Sequence, residues 1–361
     1  MRLLGADASS TSEMATKYLG AASCSSSGCH GGGGEHQNQF LVWSLKDFHS
    51  QRPFATLTTA RSKQIGDALD IQSPAIDNRC TSCHAPLAQV PESLRGEDFK
   101  VSEGVSCESC HGPAENWLRS HTRPDWTHAD RVFAGMRDLR NLYVRANTCV
   151  ACHQTVELPL LKAGHPELIF ELDGQCVSEP KHWREQTNWN GAQTWLVGQA
   201  AALREMSWQL TRSSERDANL AARCEALLWL LAKLDGVNPE SPKLGGFLSE
   251  SAVLDYTAVQ SAADVLARSA AGANWTEPIT RSMLKALAGV SRDFREQQIP
   301  TMRQARRAER LVLALDRLTV SAPQPDADAK LNELFKLAQS IPDFDSTRFA
   351  AAIDEFAHSL K

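Results

Sequence analysis

Hydrophobic residues in the second half of the chain recur every three or four positions, which is the spacing of one face of an α-helix. The first two stripes contain Leu196, Leu203, Met206 and Leu210, and then Leu220, Cys224, Leu227, Leu231 and Leu234. Further stripes run through Leu254, Ala258, Ala262 and Val265, through Ile279, Met283, Leu287, Val290 and Phe294, and through Met302, Ala305, Val312 and Leu315. Short final helices are predicted around Leu334 and Ile353. Together the stripes predict an antiparallel α-helical bundle over residues 189–361.

The region before the stripes has a different pattern. Residues 17–188 contain many Gly, Ser, Pro and Asn breaks and few long periodic segments, which predicts a domain with little regular structure. The predicted fold class is therefore mainly α, with an N-terminal segment over residues 1–16, an irregular domain, and the helical bundle.

Composition and charge limit the classes of protein to which the chain can belong. The chain has 361 residues, a formal charge of −5 and 42% hydrophobic residues, which suits two globular domains and argues against nucleic-acid binding. No segment approaches the roughly 18 apolar residues of a transmembrane helix. Residues 1–16 also lack the apolar core of a signal peptide, so we expect an N-terminus that was processed, engineered or misassigned.

Eight of the ten cysteines form pairs, each followed at once by a histidine. A shuffled chain of this composition would hold roughly 0.01 C-x-x-C-H pentapeptides, so three copies exclude coincidence. The three regular motifs are Cys80, Cys83 and His84; Cys107, Cys110 and His111; and Cys149, Cys152 and His153. A stretched motif precedes them and consists of Cys24, Cys29 and His30.

The spacing of the motifs indicates covalent haem. Two thiols add to the vinyl groups of one haem, and the histidine after the second thiol becomes the proximal ligand of the iron. Zinc and a disulfide framework are the alternatives, but a disulfide framework gives the histidines no role. We therefore expect four covalently bound haem c groups. In the stretched motif, the alternative is that Cys24 and Cys29 pair with each other.

Seven histidines remain as candidates for the second axial position of each iron. They are His36, His49, His121, His128, His165, His182 and His358. Two-histidine ligation is expected for most of the irons, because the six Met residues lie mostly near the terminus or in the bundle. Irons closed by two histidines offer no open position for a substrate and typically transfer electrons.

The residues around the third motif resemble a known family. The run G-V-S-C-E-S-C-H-G-P over residues 104–113, followed by His121, is similar to the third-haem signature of the tetrahaem cytochrome c-554 family. Trp43 and His49 resemble that family's run to a distal histidine. The same haem arrangement occurs within hydroxylamine oxidoreductases. The resemblance covers roughly residues 17–170.

The resemblance implies a set of distal ligands. By it, His121 would serve the first haem and His49 the third, while His165 would serve the fourth, with His182 as its competitor. The second haem of the family can be five-coordinate, which would leave the iron on His84 open. His36, His128 and His182 are spare groups that could close it.

Two functions from different classes follow. The leading hypothesis is a tetrahaem electron carrier in a respiratory or nitrogen-cycle chain, whose partners are redox proteins. The alternative is an oxidoreductase that acts on a small nitrogen oxide or hydroxylamine at one open iron. We expect a periplasmic or other extracytoplasmic location, because thioether attachment takes place there.

The role of the helical half stays open at this point. A third hypothesis treats it as a module that docks onto a larger respiratory complex. Arg303, Arg306, Arg307 and Arg310 share one face of a predicted helix, which is either a solvated face or a docking patch for an acidic partner.

Overall fold

Helices provide nearly all the regular structure in the described part of the chain, where extended pairing is limited to isolated bridges such as Tyr18 with Arg95. The mainly α fold class is confirmed. The computed structural model describes residues 16–35, 37–212, 217–237, 241–248, 254–296, 298–325, 327–339 and 343–360. Among these residues, no helix combines the length and the apolar character needed to cross a membrane.

The chain forms two compact units, residues 1–138 and 139–361. This boundary precedes the predicted change at residue 189, because the helix that carries the fourth motif contributes to the core of the second unit. The first three motifs therefore lie in the first unit and the fourth lies in the second.

The first unit is built from short helices. Its α-helices are α1 (Gln39–Lys46), α2 (Arg52–Thr56), α3 (Ala60–Ala68), α4 (Asn78–His84), α5 (Cys107–His111) and α6 (His128–Phe133). Segments Ala21–Cys24, Glu92–Leu94 and Val101–Glu103 are 3₁₀ helices. Polar caps begin several helices: the Asp77 side chain accepts from the Arg79 N–H before α4, and Ser106 and Ser109 form a reciprocal capping box on α5.

The second unit contains longer helices. They are α7 (Leu142–His153), α8 (Leu158–Lys162), α9 (Leu172–Ser178), α10 (Gly191–Arg212), α11 (Ala218–Ala232), α12 (Tyr256–Gly272), α13 (Glu277–Ala288), α14 (Ser291–Arg295), α15 (Thr301–Ser321), α16 (Ala327–Gln339) and α17 (Ser346–Ser359). A 3₁₀ helix spans Gly245–Phe247. Most residues of the predicted stripes lie on these helices, with one stripe divided between α13 and α14.

Helix α10 is the central element of the second unit. It packs against α7, α9, α11, α12 and α15, and every residue from 192 to 204 is buried. Its buried Gln193 side chain has two partners, because the amide donates to the carbonyls of Ala270 and Ala273. A helix buried on all sides is typical of the middle of a large core.

The predicted stripe on α12 is wrong in phase by one residue. Val265 is 52% exposed, whereas the buried positions are Val259, Ala263, Leu266, Ala267 and Ala270. Because alanines occur on both faces of this helix, its apolar pattern fits two neighbouring phases.

The expected arginine face of α15 is also wrong in part. Arg303 is exposed and pairs with Glu225 at 3.1 Å. Arg310, in contrast, is only 3% exposed, and the Arg307 guanidinium lies 5.2 Å from the centroid of the Trp229 ring. These two arginines pack within the second unit and belong neither to a solvated face nor to a docking patch.

Candidate haem sites

The stretched first motif forms a tight loop. Cys24 ends a 3₁₀ helix and is buried, whereas Cys29 is exposed. The His30 N–H donates to the Cys24 carbonyl at 3.2 Å, which closes the loop on itself. A Cβ at Gly31 would lie 1.8 Å from the Ser25 carbonyl oxygen, so only glycine fits after the histidine. The two extra residues are thus absorbed by a turn between the cysteines.

The rings of His30 and His121 lie close to each other within the first unit. Their centroids are 6.0 Å apart and their planes differ by 24°. The Nδ1 atom of His30 lies 2.9 Å from Gln39 Oε1, and the Nδ1 atom of His121 lies 2.6 Å from the Leu118 carbonyl oxygen. These acceptors hold the proton on Nδ1 of each ring, so Nε2 is the atom that can bind a metal. Burial lowers the pKa of His121, which favours the neutral, ligating form.

This pair provides a test of whether the residues fit a haem. Metal–imidazole bonds are about 2 Å long, so two imidazoles on opposite sides of one metal ion have ring centroids roughly 6 Å apart. The separation of His30 and His121 agrees with that value. The two imidazoles are therefore close enough to serve one iron, with His30 as the histidine of the motif and His121 as the second ligand.

A buried glutamate connects the first and third motifs. Glu108, the residue after the first cysteine of the third motif, is only 1% exposed. Its carboxylate accepts from the N–H groups of Leu19 at 2.9 Å, Gly20 at 2.7 Å and Ala114 at 2.7 Å. The segment that leads into Cys24 is therefore fastened to helix α5. The C-x-x-C-H pattern allows any residue at this position. Only the acidic side chain between the two cysteines could have marked it in the sequence.

The cysteines of these two motifs also meet. A hydrogen bond between the Cys24 and Cys107 thiols, together with burial, raises the pKa of Cys107, while the same bond lowers the pKa of Cys24. All ten cysteines lie in the described part of the chain, and none of them forms a disulfide there.

His49 lies beside the backbone that precedes the third motif. The Val105 N–H donates to the His49 carbonyl at 3.0 Å, and the Trp43 indole donates to the Val105 carbonyl at 3.1 Å. The Nδ1 atom of His49 lies 3.1 Å from the carboxylate of Asp47, which is almost fully buried. A carboxylate on Nδ1 is a common orienting group for a metal-binding imidazole, whose Nε2 is then the ligand atom. The backbone of His49 is thus hydrogen-bonded to Val105, which lies two residues before Cys107 in the chain.

Arg137 closes the C-terminal end of the third motif. Its guanidinium donates to the carbonyls of Ser109 at 2.7 Å and Cys110 at 3.0 Å, and its backbone N–H donates to the His111 carbonyl at 2.8 Å. These bonds satisfy carbonyls that a five-residue helix leaves without partners. They fix the backbone of the proximal histidine, a role that the sequence did not suggest.

The second motif lies on α4, which packs against α2. The Nδ1 atom of His84 lies 2.9 Å from the Pro53 carbonyl oxygen, so this ring is also oriented through Nδ1. Of the spare histidines, His128 has its Nε2 atom 3.2 Å from the Asp138 carboxylate. His36 lies outside the described residues.

The fourth motif lies on α7 in the second unit, where Cys149, Cys152 and His153 are partly exposed. Both expected candidates for its distal ligand are in the same unit. The Nδ1 atom of His165 lies 2.8 Å from the Pro166 carbonyl oxygen, and the His182 ring packs edge-on against Trp183.

Comparison with known proteins finds a matching family for one segment of the chain. A family model described as cytochrome c554 and c-prime matches residues 24–112, about a quarter of the chain. The match begins at the first cysteine of the stretched motif and ends one residue after the histidine of the third. No curated protein and no solved structure gives a significant match to the chain.

Proposed function

Because residues 24–112 match the cytochrome c554 and c-prime family, which confirms the resemblance seen in the sequence, we propose that the chain is a tetrahaem electron-transfer protein. The match makes it a c-type cytochrome with covalently bound haem c. The observation that supports electron transfer most directly is the pair of His30 and His121 rings, 6.0 Å apart. An iron closed by both histidines has no position for a substrate.

The proposed attachment uses all four motifs. The cysteine pairs would hold the haems through thioether bonds, and the histidine after each pair would be the proximal ligand. The four sets are Cys24, Cys29 and His30; Cys80, Cys83 and His84; Cys107, Cys110 and His111; and Cys149, Cys152 and His153. When bound, each haem supplies a one-electron change between ferric and ferrous iron.

The contribution of the chain is to hold and orient the ligands. Carbonyl and carboxylate acceptors on Nδ1 keep His30, His49, His84 and His121 in the tautomer that presents Nε2. The Glu108 carboxylate fixes the segment before Cys24, so that Cys24 of the first motif and Cys107 of the third stay adjacent. Rigid ligands reduce the structural change that accompanies each change of iron charge, which favours rapid electron transfer.

The proposed distal ligands are His121 for the first haem and His49 for the third. The fourth haem has two candidates, His165 and His182. The partners are redox proteins, and the location is periplasmic or otherwise extracytoplasmic, in keeping with the family match.

One observation favours a second function. The Nε2 atom of the spare histidine His128 lies 3.2 Å from the Asp138 carboxylate, and no distal histidine is assigned to the second haem. An open iron on His84 would bind a small nitrogenous ligand, and the protein would then act as an oxidoreductase on a nitrogen oxide or hydroxylamine.

The spin states of the irons distinguish the two functions. We expect the ferric protein to show low-spin signals from at least three haems, because three pairs of histidines are proposed. Carbon monoxide added to the ferrous protein then shows whether the remaining iron, the one on His84, has an open position. Lack of binding supports a pure electron carrier, and stoichiometric binding to one iron supports the oxidoreductase. High-spin signals from most of the haems would contradict the electron-transfer proposal.

A further inference from the structure

Helix α7 presents two different faces. Leu142, Ala146 and Val150 are spaced by four residues, and all three are buried in the core of the second unit. Arg145, Cys149 and Cys152 are spaced by four and then three residues, so they share another face of the helix. That face, which carries both cysteines of the fourth motif, is called the cysteine face below.

Arg145 binds a glutamate at the cysteine face. Its NH1 atom donates to Glu185 Oε1 at 2.9 Å, and its NH2 atom donates to Glu185 Oε2 at 3.1 Å. The two side chains are only 12% and 13% exposed. The Arg145 Nε–H also donates to the Leu139 carbonyl at 2.8 Å, which fixes the plane of the guanidinium. A two-pronged, shielded ion pair of this kind gives a defined geometry.

Glu185 extends this contact to the residues before it. Its Oε1 atom also accepts from the Trp183 indole N–H at 2.7 Å. The ring of His182 lies 5.2 Å from the Trp183 ring, at an interplanar angle of 87°. Because only two residues separate His182 from Glu185, the imidazole is restricted to the neighbourhood of the cysteine face.

His165 belongs to a segment with different attachments. The residues that follow it are fastened to α11: Glu167 pairs with Arg223 at 2.8 Å, and the Leu168 carbonyl accepts from the same guanidinium at 2.6 Å. The Nδ1 atom of His165 bonds within its own loop, to the Pro166 carbonyl. None of these contacts involves Arg145 or the cysteine face.

We propose that His182, rather than His165, is the sixth ligand of the fourth haem iron, and that the Arg145–Glu185 pair positions it. The inference rests on the proposed function, since it requires a haem on Cys149 and Cys152. It reverses the order of the two candidates that the family resemblance implied. In this assignment Arg145 and Glu185 are positioning residues, because they act on the ligand through the backbone of residues 182–185.

The test compares H182A with the matched variant H165A in the full-length protein with its haems attached. Electron paramagnetic resonance of the ferric state counts low-spin and high-spin irons. We expect H182A to convert one iron per chain from low-spin to high-spin, and added imidazole to restore the low-spin signal. H165A should leave the count unchanged. Conversion by H165A, by both variants or by neither overturns the assignment.

Three further measurements distinguish a changed ligand from loss of folding and from failure of the proposed function. H182M keeps a ligand at the position, and histidine–methionine ligation raises the reduction potential; we expect one of the four potentials to rise and the others to stay. E185Q should increase carbon monoxide binding at one ferrous iron, because the imidazole is less firmly held. The intact mass of the wild-type protein reports separately whether a fourth haem is attached at all, so a missing haem would reject the proposed function and not merely the ligand.

Discussion

The Glu108 carboxylate accepts a 2.7 Å hydrogen bond from the backbone N–H of Gly20, which lies 88 residues earlier in the chain. Gly20 has a φ of 91°, and a Cβ there would lie 2.3 Å from the Asp98 carbonyl oxygen. The contact thus requires glycine on one side and a buried acid on the other. It fixes the entry to the first motif relative to the third, before any covalent bond to a haem is considered.

The variant E108A should destabilise the protein. It removes the acceptor for three backbone N–H groups, two of them from residues 19 and 20, and leaves a cavity at a position that is 1% exposed. We expect a loss of about 3 kcal/mol in the free energy of unfolding. Denaturant unfolding followed by circular dichroism measures it. The control is E115Q, which changes an exposed acceptor of the Lys17 N–H and should have little effect; equal losses in the two variants would count against the role of Glu108.

We expect Asp264 to contribute to the stability of the second unit, as Glu108 does to that of the first. It accepts from the Tyr143 hydroxyl at 2.7 Å, from Arg204 at 2.8 Å and from Arg268 at 2.8 Å. Tyr143 belongs to α7, so the carboxylate connects the helix of the fourth motif to α10 and α12.

The variant D264N leaves the buried Arg204 guanidinium with less compensating charge, and we expect a loss of about 2–4 kcal/mol. E277Q breaks the exposed Arg281 pair on α13 and serves as the control, for which we expect a value near wild type. A D264N protein as stable as E277Q would show that the network contributes nothing.

Glu171 should make the stability depend on pH. Burial raises the pKa of Glu171 to about 7, although Arg310 lies 3.7 Å away and opposes the shift. In the unfolded chain a glutamate titrates at about 4.3, so the folded state binds more protons between the two values. The stabilising contribution is therefore fully present below about pH 4 and is lost as the pH rises through 7.

Comparison of wild type with E171Q isolates this contribution. The neutral amide does not titrate, so the difference in free energy of unfolding between the two proteins should change by roughly 3 kcal/mol between pH 5 and pH 8. The variant should gain stability relative to wild type at the higher pH. Parallel pH profiles would mean that the carboxyl group titrates normally.

The His30–His121 pair predicts the behaviour of the first haem. H121A should convert one iron to high-spin, and free imidazole should restore the low-spin state. H128A is the matched control, because His128 lies in the same unit and is not among the proposed distal ligands. Electron paramagnetic resonance provides the count, and an unchanged spectrum for H121A would remove His121 from the coordination of iron.

The helices could be predicted and the cysteine–histidine motifs recognised because both are local patterns. Spacing of three and four residues is enough to place α10 or α15, and five consecutive residues are enough to recognise a C-x-x-C-H motif. The phase of α12 could not be fixed in this way, since alanines on both faces leave Val265 and Leu266 as equivalent choices. Only packing decides that Leu266 is buried.

The supporting contacts could not be predicted, because they join distant positions in the chain. Glu108 bonds to residue 20, Arg145 bonds to Glu185, and Arg310 is buried beside Glu171. Each of these side chains would look like an ordinary surface charge in the sequence. Burial and partner determine their role, and both depend on the folded arrangement of several elements.

The intact mass of the purified protein under denaturing conditions tests the central claim most directly, since thioether-bound haem survives unfolding whereas other haem does not. The account predicts the mass of the polypeptide plus four haems, together with loss of one haem when both cysteines of any one motif are replaced by alanine. A mass without covalent haem would contradict the account, and a mass with three haems would reject the tetrahaem assignment.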